Sequence, residues 1–594
     1  MRGRGGALLG LAVLAATFVA LARWTWGGWP DPLVDFGREL YVPWRLSQGA
    51  LLHRDVAWFS GPLSQTVNAF LFRVAGVSLS TLVWANLAVL AALTLLWWRL
   101  LRDWTGTLAA TLAGVVLLAV FGFAQLVGIG NYNFVTPYSH EVTHAMLLAT
   151  GALTCLRRFD ERRDTWSLLG AGLLLGLCFL TKVELALAAW VAAALWLALV
   201  QRAPREGSPE TARVVIRLGA VALLPVAWAV IQGTLALGGA GGLRSAFGGW
   251  LNALGGDASS LAFYRAGMGL DAPLRRLGEL AAWCGRWALV LAPFGLLAAR
   301  VRRGSELAHA LCAAAALAVG GLLAWRFGTL QGAGPARPLP LAMLAIGAWA
   351  AWSLRHAADE AEARRARTLL ALAAFAFVAL GKMILNARVQ HYGFALALPA
   401  TLLVIGVAVG ALPAALERRE RAGWVLRTAA LVAVAVWTAA QLRTTQGFLS
   451  TKVATLGQGS DAFRCDLRGK FVGEALATFA SVAQPGDTLA VLPEGVMMNY
   501  LAGSVNPTPY VNFMPPELLL FGEERIVAAF QASPPDWVFL VHKDTSEYGF
   551  PLFGPDYGTQ LATWIQTNYA PVRQFAQPPL TPGTIFGIQL LKRR

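Results

Sequence analysis

The chain has 594 residues, of which 56% are hydrophobic and only 14% charged, far below the roughly one in four charged residues of a soluble domain, so a string of soluble domains is excluded. Its net charge of +16 would suggest nucleic acid in a soluble protein. Here the charges are mostly Arg clusters between long apolar runs, as in a membrane protein that marks its cytoplasmic face, and no nucleic-acid partner is expected.

About 20 apolar residues carry a helix across about 30 Å of hydrocarbon, and runs of this kind predict about thirteen spans. They lie near 7 to 24, 79 to 100, 107 to 127, 142 to 157, 166 to 181, 185 to 200, 214 to 235, 280 to 299, 306 to 325, 339 to 355, 368 to 386, 393 to 412 and 424 to 442. The first follows Arg2 and Arg4 but leads into Trp24, Trp26 and Trp29, an interfacial belt rather than the small-residue cleavage site of a signal peptide. With the N-terminus inside, alternate loops should be basic. They are, at Arg99 and Arg102, at Arg157, Arg158, Arg162 and Arg163, at Arg202, Arg205, Arg213 and Arg217, and again at Arg300 to Arg303, Arg364 to Arg367 and Arg418 to Arg421. Cys155, Cys178, Cys284 and Cys312 fall in or beside apolar runs and, with Cys465, form no CxxC pair, so neither a disulfide framework nor a zinc ribbon is expected.

The first outer loop, 25 to 78, predicts two interfacial helices. In one, Leu33, Phe36, Leu40 and Trp44 recur at helical spacing while Asp35, Arg38 and Glu39 fall on other sides. In the other, Pro62 stands at a helix start, Leu63, Val67, Phe70, Leu71 and Val74 form one face, and Gly76 is the stop. The sequence Asp35-Phe36-Gly37-Arg38-Glu39-Leu40-Tyr41, then Gly49, Arg54-Asp55 and Gly61-Pro62-Leu63, resembles the first loop of GT-C superfamily membrane glycosyltransferases, of the dolichyl-phosphate-mannose protein mannosyltransferase and aminoarabinose transferase type. The resemblance implies a catalytic base in this loop, which falls on Asp35 with Asp31 as competitor, and substrate or phosphate contacts at Glu39, Tyr41 and Asp55. The plain alternative is that Asp31 and Asp35 cap the interfacial helix.

The next outer loop, 128 to 144, holds Asn131, Tyr132, Asn133 and Tyr138, suited to a sugar or phosphate, and then His140-Glu141-Val142-Thr143-His144. On a helix, HExxH presents His140 and His144 to zinc with Glu141 as base, so an intramembrane zinc metalloprotease is a rival reading. No third-ligand element follows downstream. His140 and His144 therefore stand instead as ligand-binding candidates, with a divalent metal as an alternative cofactor.

Lys182 and Glu184 end the fifth span in FLTKVE, and Lys382, Asn386, Arg388, His391 and Tyr392 occupy the turn after the eleventh. Lys182 resembles the lysine ending many GT-C spans, and Arg388 to Tyr392 before Pro399 resembles an Arg-Tyr motif of that superfamily. Arg388 suits a bidentate grip on phosphate and Lys382 a point charge, although long basic side chains also serve as snorkelling anchors. Arg265, Arg326 and Arg337 map to the same side without a motif.

After 443 the composition becomes that of a soluble domain. Strand-like runs at 487 to 492, 536 to 542 and 584 to 591 alternate with helical patterns near 470 to 483, 517 to 531 and 557 to 568, predicting an extracytoplasmic α/β domain with a mostly parallel sheet. Within it, the stretches 492 to 503, 506 to 518 and 542 to 549 suit either an acceptor or turn formation. No phosphate-cradling glycine loop is present, which favours a lipid-linked donor over a nucleotide sugar.

The expectation is a polytopic GT-C-like protein of a bacterial cytoplasmic membrane, with 1–442 as membrane domain and 443–594 as periplasmic domain. Its partners would be a polyprenyl-phosphate-linked sugar, a glycan, lipid or protein acceptor, and the bilayer. A lipid-carrier transporter without catalysis is the third reading.

Overall fold

The computed structural model describes residues 4–202, 210–256 and 260–594; Arg2 and Arg205, two of the basic flanks, lie outside the described residues. Among the described residues nine helices are long and apolar enough to cross a membrane, from Arg4–Thr25 to Gly423–Ser450. The chain is a multi-pass α-helical membrane protein. Shorter or more polar helices, Thr107–Gly122, His140–Arg162, Thr165–Phe179 and Leu339–Arg355, occupy the remaining expected positions, so thirteen full spans are not established.

Local chemistry sets the helix ends. Ser78 caps Leu79–Thr105 by accepting the Thr81 N–H, and Gly106 ends it at φ 86°, a conformation open to glycine without a Cβ clash. The chain then reverses into Thr107–Val116. One face of Leu79–Thr105 buries Leu90, Leu93, Trp97 and Leu101. Elsewhere large apolar side chains such as Leu224, Trp228 and Leu235 point outward, as hydrocarbon solvent allows.

The Arg-rich turns meet at one end of the bundle. Arg157 donates to the Arg99 carbonyl and pairs with Asp103, Arg217 donates to Thr165, and Arg421 to the Arg300 carbonyl. Buried Arg367 forks onto Asp160 with two bonds of 2.9 Å. At the other end the first loop meets the C-terminal region: Ala57 N–H donates to Pro509 O at 2.9 Å and Arg464 to Trp26 O at 3.0 Å.

The first of the two loop helices, Phe36–Ser47, is not interfacial. Phe36 through Pro43 are all buried because the C-terminal region lies across them: Trp44 packs edge-on against Tyr500 and Tyr41 accepts the Asn506 N–H. A Cβ on Gly37 would lie 2.3 Å from Met497 N, so only glycine admits this approach. The second helix, Leu63–Ala75, has the expected form. Val67, Phe70 and Val74 are exposed while Ser64, Gln65 and Asn68 are buried, an apolar face turned out and a polar face turned in.

The C-terminal region starts after Ser450. A short hairpin, Ala454–Leu456 with Phe463–Cys465, precedes a four-stranded sheet ordered Leu489–Leu492, Trp537–Val541, Gly587–Arg593, Tyr569–Ala576. Only the first two strands are parallel; the other pairings are antiparallel, which corrects the expected mostly parallel sheet. Tyr569–Ala576 escaped the strand pattern because it is an edge strand with Pro571 at a bulge. It joins Gly587–Arg593 through a loop too short for a parallel crossover.

Candidate active site

A cavity of about 690 Å³ lies between the first loop, the helix ends and the C-terminal region. Asp35, Tyr132, Lys182, Lys382, Arg388, His391 and Tyr392, seven residues singled out in four separate stretches of sequence, all line it. A smaller, more apolar cavity of about 350 Å³ adjoins it and shares Lys182, Lys382 and Tyr392.

Asp35 stands at the start of the helix Phe36–Ser47 with φ 56°. Burial pushes its carboxyl up to about 7 against the opposing pull of Arg38, whose Nη2 is 3.7 Å from Asp35 Oδ1. A carboxylate tuned in this way holds or releases a proton near neutral pH. Arg38 is itself fixed: it donates to Tyr138 O at 3.2 Å and lies against the Phe59 ring.

Three of the cations singled out in the sequence line the cavity, beside Arg38, Arg468 and Lys543. Lys382 Nζ pairs with Glu184 Oε1 at 2.7 Å and rests on the Tyr392 ring. Lys182 sits over Tyr138, and burial lowers its ammonium. Arg388 has no carboxylate within ion-pair distance among the described residues, and burial likewise depresses its guanidinium. For a half-buried cation short of counter-charge among the described residues, an anion beside it is stabilising.

His391 is not a cation here. Burial, helped by Arg388 and Lys382, pulls its imidazole down to about 3, so at neutral pH it serves as an uncharged hydrogen-bonding group, 2.6 Å from the Tyr132 hydroxyl.

Other predicted residues lie outside the cavity wall. Tyr41 is buried and spends its hydroxyl on Asn506 N–H. Asp55 forks onto its neighbour Arg54 at 2.9 and 2.8 Å and accepts the Leu51 N–H, which makes it a local turn device. Asn131 bonds the backbone of the first loop. Asn386 is held by Arg337 and donates to Ala266 O. Fully buried Asp31 accepts Leu33 N–H, Val34 N–H and Arg468, and does not face the cavity.

The HExxH segment does lie on a helix, His140–Arg162, yet it is not a metal site. His140 Nδ1 donates to Glu39 Oε2 at 2.7 Å, and Asn86 bonds Nε2 at 2.9 Å, leaving neither ring nitrogen free. Among the described residues no three His, Cys, Asp or Glu side chains could hold a metal ion together. Glu39 likewise belongs beneath the cavity: burial acts to raise its carboxyl, but the His140 bonds and charge together with Arg38 outweigh it and hold it below the usual range. Gln65 bridges Glu39 and Glu141 at 3.0 and 3.1 Å, and only Glu141 of this network reaches the cavity. His144 lies near His140, ring centres 5.7 Å apart and the rings tilted, also off the cavity wall.

Sequence reasoning missed Arg38 as a site residue and the charged wall supplied by the C-terminal region, which includes Arg468, Glu494, Glu517, Lys543, Glu547 and Tyr548. Lys543 pairs with Glu494 at 3.0 Å, and burial raises the Glu517 and Glu547 carboxyls. The stretches 492 to 503, 506 to 518 and 542 to 549 carried all of the C-terminal members but Arg468, and nothing in local periodicity showed which side chains turn inward.

No family model matches the chain, and no curated protein matches it in sequence. Among solved structures, it is similar to ArnT from Cupriavidus metallidurans bound to undecaprenyl phosphate, at 12% identity and TM-score 0.49, covering 99% of this chain and 98% of that one. It is also similar to the Archaeoglobus fulgidus oligosaccharyltransferase tethered with an acceptor peptide, at 13% identity and TM-score 0.46, covering 98% of this chain and 74% of that one.

Proposed function

We propose that the protein is a GT-C-like glycosyltransferase that moves a sugar from a polyprenyl-phosphate-linked donor to an acceptor hydroxyl at the outer face of a bacterial cytoplasmic membrane. The observation that carries this reading is the meeting of Asp35 with Lys182, Lys382 and Arg388 on one cavity. Transfer from a lipid phosphate needs a carboxylate to accept the hydroxyl proton and cations to receive the departing phosphate.

In this mechanism the acceptor oxygen gives its proton to Asp35 and bonds to the anomeric carbon. The bond from that carbon to the phosphate oxygen breaks, and its electron pair stays on the polyprenyl phosphate. Arg388, which has no carboxylate at ion-pair distance among the described residues, takes a bidentate hold on that phosphate; Lys382 and Lys182 add charge. The adjoining cavity, with Gly249, Ala253, Met268 and Leu520 in its wall, supplies apolar surface for the carrier chain. A single displacement of this kind inverts the anomeric carbon, as the first-loop resemblance implies. The periplasmic position of the C-terminal region follows from the N-terminus-inside orientation that the Arg-rich turns favour.

The test is mass spectrometry of surface glycans and lipid intermediates in a deletion strain complemented with wild type or Asp35→Asn. An accumulated polyprenyl-phosphate sugar and a missing sugar in both the deletion and Asp35→Asn strains are expected. Full restoration by Asp35→Asn refutes the role of the carboxylate.

A further inference from the structure

Asp35 has an unusual backbone. At φ 56°, ψ −63°, with Phe36 N–H donating to Val34 O at 2.7 Å, it is the centre of the rarer, strained form of the γ-turn. A non-glycine residue persists there only when its surroundings over-determine it, and such strain gathers at functional sites.

The surroundings are identifiable. Asp31 Oδ1 accepts the N–H groups of Leu33 and Val34, each at 3.0 Å. Asn131 accepts the Asp31 N–H at 3.0 Å and donates to Val34 O at 2.5 Å. Both backbone groups of Val34, the first residue of the turn, are therefore held by side chains. The remaining Asp31 oxygen, Oδ2, takes Arg468 Nη2 at 2.7 Å, and Arg468 is itself forked onto Asp466 at 2.9 and 2.7 Å. Arg468 opens the helix Arg468–Val482 of the C-terminal region, so the clamp spans two distant parts of the chain.

We infer that Asp31, Asn131 and Arg468 are positioning residues that lock Asp35 into its γ-turn and aim its carboxyl into the cavity, so that the base is set only when the C-terminal region is docked. The inference rests on the reading of Asp35 as the base. It also gives Asp31 a role other than that of a competing base: its oxygens are committed to two amides and a guanidinium, none of which leaves it free to take a substrate proton.

The test uses the full-length protein in lipid nanodiscs and two readouts. Infrared difference spectroscopy follows the Asp35 carboxyl band, assigned by its loss in Asp35→Asn. Arg38, Glu494, Lys543 and Glu517 also bear on this group and stay in place in every variant. In wild type the band should titrate at about 7. Asp31→Ala removes all three bonds, so the turn relaxes toward water, the midpoint moves down toward the ordinary carboxylate value, and kcat falls by about a hundredfold, the cost of a misplaced group, with KM for the donor nearly unchanged. Asp31→Asn keeps the oxygen that accepts the two amides and loses only the ion pair, and its effect should be intermediate. Arg468→Ala should match Asp31→Asn, and Arg468→Lys should restore much of the loss. If Asp31→Ala fails to fold, the Arg468 pair carries the test alone. A wild-type midpoint and wild-type kcat in folded Asp31→Ala, or in folded Arg468→Ala, would overturn the inference. Full transfer by Asp35→Asn would instead sink the base assignment, while the infrared midpoints would still decide whether the clamp exists.

Discussion

Lys382 reaches Glu184 at 2.7 Å, tying the end of one membrane helix, Glu360–Met383, to the start of another, Val183–Gln201. The pair holds an ammonium at the junction of the two cavities while sharing its charge with a carboxylate. Arg388, on the same wall, has no such partner among the described residues, so the two cations differ in what each can give to a phosphate.

That difference is measurable with undecaprenyl phosphate as probe. Arg388→Ala should weaken its binding by about 10- to 100-fold, the worth of hydrogen bonds to a charged group at about 1.5–3 kcal/mol, with the melting temperature held. Lys382→Ala should weaken binding less but lower the melting temperature, because Glu184 is left without its counter-ion. Native mass spectrometry and thermal unfolding separate the two effects, and an unaltered titration for Arg388→Ala would remove its phosphate role.

Asp35→Asn should lower transfer by about 10²- to 10⁴-fold, the usual contribution of a positioned base, with protein level and membrane insertion equal to wild type. Radiolabelled-sugar transfer in membrane vesicles checks the rate, and immunoblotting checks the insertion.

The pH profile should carry the same group. Burial raises the Asp35 carboxyl from 3.8 to about 7, so the competent carboxylate is lost as pH falls through 7, and the rate should drop with it. Stability moves the other way: between 3.8 and about 7 the folded protein binds a proton that the unfolded chain releases. This contribution is therefore present at low pH and lost as pH rises through 7. Rate and unfolding measured from pH 5 to 9 in wild type and Asp35→Asn isolate both trends, which should be absent in the variant.

Gly37→Ala should loosen the C-terminal region without touching the cavity wall. The added methyl meets Met497 N at 2.3 Å, and overpacking of this kind costs about 1–3 kcal/mol. Faster proteolysis of the 450–594 region and a lower melting temperature are the expected readouts.

His140→Ala breaks the buried bond to Glu39 and should destabilise by about 3–5 kcal/mol, as stranding a buried charged partner does. Zinc content by elemental analysis should be equally negligible in wild type and variant. Stoichiometric zinc lost in His140→Ala would return the metalloprotease reading.

Much of the site was legible before folding because its members were chemically conspicuous. An acid in a first loop, a Lys at the end of a span and an Arg-Tyr turn between two apolar runs stand out against a hydrocarbon-rich sequence. Glu39, Tyr41 and Asp55 stood out equally and belong elsewhere, since residue type and spacing do not reveal which face of a short helix is covered. For Phe36–Ser47 the covering surface is more than 400 residues downstream, at Met497, Tyr500 and Asn506. The HExxH spacing was correct for a helix, but both ring nitrogens of His140 were already taken by Glu39 and Asn86, two residues outside the motif.

Hydropathy and charge alone determined that this chain is a helical membrane protein with Arg-rich turns at one end and a polar α/β region after the last span, because apolar length and the cost of burying charge act locally along the chain. Sheet direction, the burial of the first loop helix, the choice between Asp31 and Asp35 as the acid on the cavity, and the acidic wall supplied by Glu494, Glu517 and Glu547 were decided only by tertiary packing. Each depends on which surfaces, far apart in sequence, exclude water from one another, and no local pattern encodes that pairing.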